Sequence, residues 1–213
     1  LRDKAKAEAL AIWMPVLAET TVAVPDHIPT LTKKHISTFL YEWNKLHMLV
    51  RGDAARRLII LAHNLKLVDY AWHMFESASL PQKMLGIITL GNMREYSAWD
   101  KLMDLLNGPN LILSLTAARA LLPIDSKNAI KDILPAIVRQ KEWPSSQVSS
   151  ILKITDPILL CDLMGNTIRQ ASESDLPHLI NLTIGNTQCN TIGMAILEVL
   201  RKSTNERVIA ACL

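Results

Sequence analysis

The chain has 213 residues, of which 49% are apolar and 20% charged, and this composition excludes a disordered tail and indicates a globular protein with a large core. The net charge of +3 is spread along the chain, without the concentrated basic stripe that is typical of nucleic-acid-binding proteins. No run approaches the ~18 apolar residues that a membrane span needs.

The cysteines and the first residue bear on the compartment. Cys161, Cys189 and Cys212 are odd in number, widely spaced and without a CxxC pair, so we expect buried, reduced side chains and no disulfide. This predicts a soluble, cytoplasmic protein. The sequence begins at Leu1 rather than at Met, which leaves open a membrane anchor, a signal or a further domain upstream.

Apolar residues recur at spacings of three and four from the start, so the first elements are helices. We predict helices over 3–17 and 35–50, joined by a Pro-containing loop. Together, residues 1–50 form an N-terminal helical cap.

The second helix carries the first candidate site. Trp43, His47 and Arg51 stand at i, i+4 and i+8 and therefore share one helix face, with Arg56 and Arg57 close behind. The favoured interpretation is a core tryptophan flanked by solvated charges. The alternative is a partner-binding patch for a phosphate or an acidic protein segment.

From residue 51 onward, a pattern recurs every 31 residues. The segments "LGNMREYSAWDKLMDLL", "LLPIDSKNAIKDILPAI" and "LKITDPILLCDLMGNTI" begin at Leu90, Leu121 and Leu152. Such a period is typical of stacked helix pairs, each too short to bury its apolar face alone. The predicted helices are 53–64, 70–78, 82–93, 97–106, 110–122, 126–140, 145–154, 157–170, 174–185 and 188–202. We therefore predict an all-α fold, a right-handed α–α superhelix of about five helix pairs over 51–213, continuous with the cap.

Two of these helices carry a recognisable pattern. "LSLTAARALLPID" (113–125) and "KMLGIITLGNM" (83–93) resemble the second helix of HEAT or armadillo-type repeats, which sets small residues, a basic residue and leucines in this order. "FLYEWNKLHMLVRGDAARRL" (39–58) is similar to a poorly characterised bacterial group of HEAT-repeat proteins. The resemblance implies a binding scaffold and, for that group, an N-terminal hydrophobic anchor.

Five residues of the array are assigned structural roles. Trp72 and Trp99 fall at echoing positions and are expected in the core. Arg119, at the basic position of the HEAT-like helix, is expected to bond to the neighbouring repeat. Asp125 and Asp156 precede helical segments as N-caps.

The function expected from these features is a non-catalytic scaffold that binds a protein partner. The six histidines show no metal-ligand spacing, and no nucleophile elbow, phosphate loop or dinucleotide fingerprint occurs, so we predict no catalytic residue, cofactor or metal. One alternative is a HEAT-like DNA glycosylase or other nucleic-acid binder, with Trp99 and Asp104 as the nearest aromatic and carboxylate pair. Another is a lyase or chaperone-like module that holds a chromophore or a modified protein.

The last segment, 205–213, predicts an apolar stripe of Val208, Ile209, Cys212 and Leu213. One side of it should pack on the preceding helix. Because terminal repeats need a polar outer face, we expect either a longer natural protein or weak self-association through this end.

Overall fold

The computed structural model describes residues 2–183 and 189–212. Every regular element in this part of the chain is helical, which confirms the predicted all-α class. The chain divides into two compact units, Leu1–Leu102 and Met103–Leu213, here called the N-unit and the C-unit. The predicted helix 174–185 and the C-terminal stripe end at residues outside the described ranges.

Six helices begin in the N-unit: α1 (Arg2–Val22), α2 (Ile36–Leu49), α3 (Gly52–Asn64), α4 (Leu67–Phe75), α5 (Leu80–Asn92) and α6 (Trp99–Asn107), the last preceded by a 3₁₀ turn. Helix α1 packs on α2 and α3, and α5 packs on α2 and α4. Large aromatic rings fill the interior, where Trp13 meets Phe39 edge-to-face with ring centroids 4.6 Å apart. The core of this unit is therefore built around aromatic anchors.

Helices α4 and α5 approach at Gly86. A β-carbon at this position would lie 2.5 Å from the backbone nitrogen of Phe75 and 2.6 Å from the carbonyl oxygen of Ala71. Because backbone atoms cannot move aside as a flexible side chain does, only glycine permits this spacing.

The C-unit contains α7 (Leu111–Arg139), α8 (Ser145–Leu152), α9 (Pro157–Gln170), α10 (Leu176–Thr183), α11 (Asn190–Lys202) and α12 (Glu206–Cys212). Helices α7, α9 and α11 pack in succession, as do α8, α10 and α12, and each helix of the first set also contacts its chain neighbour in the second. Two rows of helices result, joined as pairs.

The boundaries of these helices follow the predicted caps. Asp156 accepts hydrogen bonds from the backbone N–H groups of Ile158 and Leu159 at 3.0 and 2.9 Å, with Pro157 in the first turn. Asp125 breaks α7 with non-helical φ and ψ of −151° and 88°, and accepts from the N–H of Asn128. This break lies where the sequence predicts the boundary between the helices 110–122 and 126–140.

The expectation of unpaired, reduced cysteines was wrong for two of the three. Cys161 on α9 and Cys189 before α11 form a disulfide, with their α-carbons 5.9 Å apart, a usual span for this bond. Since disulfides persist in oxidising environments, this pairing removes the cysteine argument for a reducing compartment. Cys212 is free.

The last helix agrees with the predicted stripe. Val208 is fully buried, and α12 packs on α10 and on α11, the preceding helix. Ile209 and Cys212 are partly covered.

Candidate binding surface

Two residues of the predicted partner-binding patch are structural. Trp43 is fully buried, and its indole N–H donates to the carbonyl oxygen of Leu58 at 2.9 Å. The guanidinium of Arg57 donates to the carbonyl oxygens of Thr20 and Thr21 near the end of α1, where carbonyls lack helical partners. Neither side chain is offered to a partner.

The charges that flank this patch are partly neutralised within the chain. Arg56 pairs with Asp53 at 3.3 Å, and both side chains are exposed. Lys34 pairs with Glu8 at 2.7 Å. These cations therefore form weak surface pairs rather than a free basic cluster.

His47 is the next residue of the predicted partner-binding patch. Its ring stacks on Trp43 with centroids 5.1 Å apart, and its Nε2 atom is buried without a hydrogen-bond partner in the described part of the chain. Burial, followed by the charges of Arg94 and Arg51, lowers the pKa of His47. The histidine is therefore neutral near pH 7.

Arg94 was not among the residues that the sequence singled out. It follows the end of α5 with a φ of 57°, in the left-handed region that glycine usually occupies after a helix. Its side chain is exposed. The backbone N–H of Arg94 donates to the carbonyl oxygen of Gly91 and that of Glu95 to Leu90, so this conformation closes the C-terminus of α5.

Arg51 follows the end of α2. One of its guanidinium nitrogens donates to the carbonyl oxygens of Met48 and Val50 at 2.9 and 2.8 Å. Among residues 2–183 and 189–212, neither Arg51 nor Arg94 has a carboxylate partner. We call His47, Met48, Arg51 and Arg94 the arginine surface.

A buried amide network holds the two helices of this surface together. The Asn44 side-chain amide donates to the hydroxyl of Thr89 at 2.8 Å, and the Asn92 amide donates to the Asn44 carbonyl oxygen, also at 2.8 Å. Buried polar groups that satisfy one another fix the register of the elements that carry them. Asn44 lies one turn before His47 and Asn92 two residues before Arg94, so this network fixes α2 against α5 near both residues.

The C-unit contains a separate cleft of about 280 Å³ between α9, α11 and the segment that leads into α10. Its floor is apolar, from Ile168, Leu176 and Val199, and its rim carries the Arg169–Glu198 ion pair with a nitrogen–oxygen distance of 3.0 Å. Opposite charges balance along the rim. The cleft therefore shows no preference for one charge of ligand.

The residues assigned to the array have mixed outcomes. Arg119 donates to the side-chain oxygen of Gln147 at 2.9 Å, so it bonds to the following helix as expected. Trp72 and Trp99 are half-buried rather than in the core. Trp72 lies under the ammonium of Lys101, 5.1 Å from the ring centroid, and Trp99 stacks on Tyr96.

The described residues give little support to the glycosylase and lyase alternatives. Trp99 uses its ring face on Tyr96, and Asp104 is exposed. In the ranges 2–183 and 189–212, no three His, Cys, Asp or Glu side chains converge as metal ligands. Within the same ranges, no helix is both long and apolar enough to cross a bilayer.

Over residues 2–183 and 189–212, these observations establish an all-helical protein. In comparisons with models of protein families, with curated proteins and with solved structures, nothing matches the chain.

Proposed function

We propose that this chain is a HEAT-like helical-repeat protein, with its helix pairs stacked in a right-handed α–α superhelix, and that it works as a non-catalytic scaffold for a protein partner. The two rows of helices in the C-unit support the stacking. The caps support the period, because Asp125 and Asp156 perform the same task 31 residues apart.

The observation that carries the proposal is a set of side-chain bridges at nearly constant sequence separation. Five of them join residues 25 to 32 positions apart, close to the 31-residue period of the sequence. They are Glu76–Lys101, Arg119–Gln147, Asn107–Arg139, Arg169–Glu198 and Cys161–Cys189. In a repeat array, equivalent positions of neighbouring units face each other, and bridges of this separation follow from that geometry.

The binding role rests on the arginine surface. It presents two guanidinium groups without carboxylate partners in the described chain, beside exposed apolar side chains at the end of α2. Interfaces are enriched in arginine and methionine, which combine apolar contact with directed hydrogen bonds. A protein partner therefore fits this surface.

Affinity capture from the native cell with chemical crosslinking tests the scaffold. The bait is the full chain, and the reference is the Arg51→Glu/Arg94→Glu double variant. We expect a small set of proteins to be enriched over the reference. Capture of the same proteins in equal amounts by both baits would assign the binding site to another surface. Capture of no protein by either bait would contradict the scaffold function.

A gel shift with duplex DNA at low salt tests the glycosylase alternative. Duplex binding depends on many phosphate contacts and on a concentrated positive surface, so we expect no shift by this chain. A salt-sensitive shift at micromolar protein would favour the nucleic-acid alternative over the scaffold.

A further inference from the structure

The cleft of the C-unit lies where two parallel helices end. Helices α9 and α11 run side by side in the same direction, since Gly165 meets Thr191 and, further along both helices, Arg169 pairs with Glu198. At the first contact the helices are close, because a β-carbon on Gly165 would lie 3.2 Å from the carbonyl oxygen of Thr191. Beyond it, at the C-terminal ends of both helices, the cleft of about 280 Å³ opens over an apolar floor.

The rim of this cleft carries charges of both signs. The Arg169–Glu198 ion pair joins the two helices at 3.0 Å. Glu173 and Lys202 also line the cleft, and neither forms an ion pair with any residue of the ranges 2–183 and 189–212. The Glu173 carboxylate accepts from the hydroxyl of Ser203 at 3.3 Å, which is long for such a bond. One anion and one cation on the rim can therefore bind a ligand.

The helix ends add a local preference for positive charge. Ala171 and Ser203, the C-cap residues of α9 and α11, both line the cleft. The last carbonyl groups of a helix lack helical partners and carry partial negative charge, so a cation is favoured beside them. An ammonium group of a ligand is thus favoured near Glu173, two residues after the C-cap of α9.

We propose that this cleft binds a small zwitterion, a free α-amino acid with a branched apolar side chain such as leucine. The ammonium group of the ligand bonds to Glu173 and its carboxylate to Lys202. Its side chain lies on the floor formed by Ile168, Leu176 and Val199. Charge-assisted bonds at the two ends fix the orientation of the ligand, while apolar contact favours a branched side chain over glycine.

The size of the cleft agrees with this ligand. A volume of about 280 Å³ lies just below the range of about 300 to 1,000 Å³ that is usual for sites of drug-sized molecules, so a single amino acid is of suitable size. This site goes beyond the scaffold function and does not depend on the arginine surface.

Isothermal titration calorimetry of the full chain with leucine tests the proposal. We expect saturable binding with a dissociation constant between about 10 μM and 1 mM, since a ligand of this size makes few contacts. Leucinamide lacks the carboxylate, isocaproate lacks the ammonium group and glycine lacks the side chain. Each should bind about tenfold more weakly or less, because one part of the cleft is then without its contact.

Two rim variants assign the charges. Lys202→Gln and Glu173→Gln change exposed side chains, so the fold should be unaffected, and each should raise the dissociation constant of leucine about tenfold. Lys202→Gln should leave the binding of leucinamide unchanged, and Glu173→Gln should leave that of isocaproate unchanged, because these ligands lack the group that each residue binds. Arg201→Gln is the matched control, since Arg201 is exposed beside Lys202 but outside the cleft, and its effect should stay within about twofold.

An NMR titration locates the ligand. The backbone amide resonances of Leu176, Val199 and Ser203 should shift when leucine is added to the full chain. Shifts confined to the N-unit would place the ligand elsewhere and overturn the assignment.

Three further outcomes would overturn the proposal. The first is no saturable binding of leucine up to about 10 mM, well above the expected dissociation constant. The second is binding of leucinamide or isocaproate as tight as that of leucine, which would assign the cleft to one end of a peptide. The third is an equal loss in Arg201→Gln. None of these outcomes bears on the scaffold, which the capture experiment tests separately.

Discussion

The two units stabilise their helices in different ways. Four of the five tryptophans belong to the N-unit, where Trp13 and Trp43 are almost fully buried and Gly86 brings two helix backbones into contact. Apart from Trp143, the buried side chains of the C-unit are smaller, mainly Ala, Leu and Ile, and a disulfide and polar bridges join its helices. The comparison teaches that aromatic packing with a buried amide network, and aliphatic packing with a disulfide, can each hold paired helices together.

The disulfide gives the largest expected difference between the units. Cys161 and Cys189 close a loop of 28 residues, for which chain entropy predicts about 3 to 4 kcal/mol of stabilisation. We expect reduction to lower the hydrogen-exchange protection of α9 and α11 and to leave α2 and α5 unchanged. Cys212→Ser should respond to reductant as the native chain does. Three free thiols in the denatured, unreduced protein would contradict the disulfide itself.

Backbone contact in the N-unit gives the next effect. Gly86→Ala places a methyl group 2.5 Å from a backbone nitrogen, so α4 and α5 must separate, at a cost of about 1 to 3 kcal/mol or more in the free energy of unfolding. Gly193→Ala is the matched control in the C-unit, because its added β-carbon meets nothing within 4 Å and alanine is the better helix former. It should stabilise the chain by about 0.5 to 1 kcal/mol. Urea unfolding measures the change in the free energy of unfolding for both variants. A change of the same sign in both would contradict the predicted difference between the two units.

A single polar bridge in the C-unit should matter less. Arg119 and Gln147 are both half-buried, and Arg119→Ala loses a charge-assisted bond of 2.9 Å and leaves its acceptor unpaired. We expect a loss of about 1 to 2 kcal/mol in the free energy of unfolding. A double-mutant cycle with Gln147→Ala isolates the pair, and a coupling energy near zero would show that Arg119 acts through packing alone.

Features set by neighbours in sequence could be predicted. The starts of α8 and α9 follow from Pro144 and from Asp156 with Pro157, because capping depends on residues within one turn. Long-range pairings could not. Cys161 and Cys189 lie 28 residues apart, close to the repeat period, so they occupy nearly equivalent positions of neighbouring repeats. This separation could have indicated the disulfide, which the odd number and wide spacing of the cysteines did not.

The arginine surface shows the same limit. Asn92, two residues before Arg94, bonds to Asn44 across 48 residues, a pairing that no local pattern records. The echo between Trp72 and Trp99 predicted one environment for both. Their environments differ because Trp72 meets Lys101 and Trp99 meets Tyr96, and these neighbours differ between the two positions.

Mild acid should produce the smallest difference between the units, and its sign follows from His47. Its pKa in the folded chain lies below the ordinary value of 6.5, mainly through burial, so the unfolded chain binds the proton first as the pH falls. The stability that depends on neutral His47 is complete above pH 6.5 and is lost progressively below it, until the lowered pKa of the folded state is reached. In the C-unit, the bond from Lys141 lowers the pKa of Asp175 below its ordinary value of 3.8, so the contribution of that pair persists until the pH falls below 3.8. Between pH 6.5 and about 4.5, the hydrogen-exchange protection factors, which account for the intrinsic slowing of exchange at lower pH, should therefore fall in α2 and α5 of the N-unit and hold steady around Asp175. His47→Gln removes the titrating group and should flatten this dependence. An unchanged pH profile in that variant would assign the acid sensitivity of the N-unit to a different group.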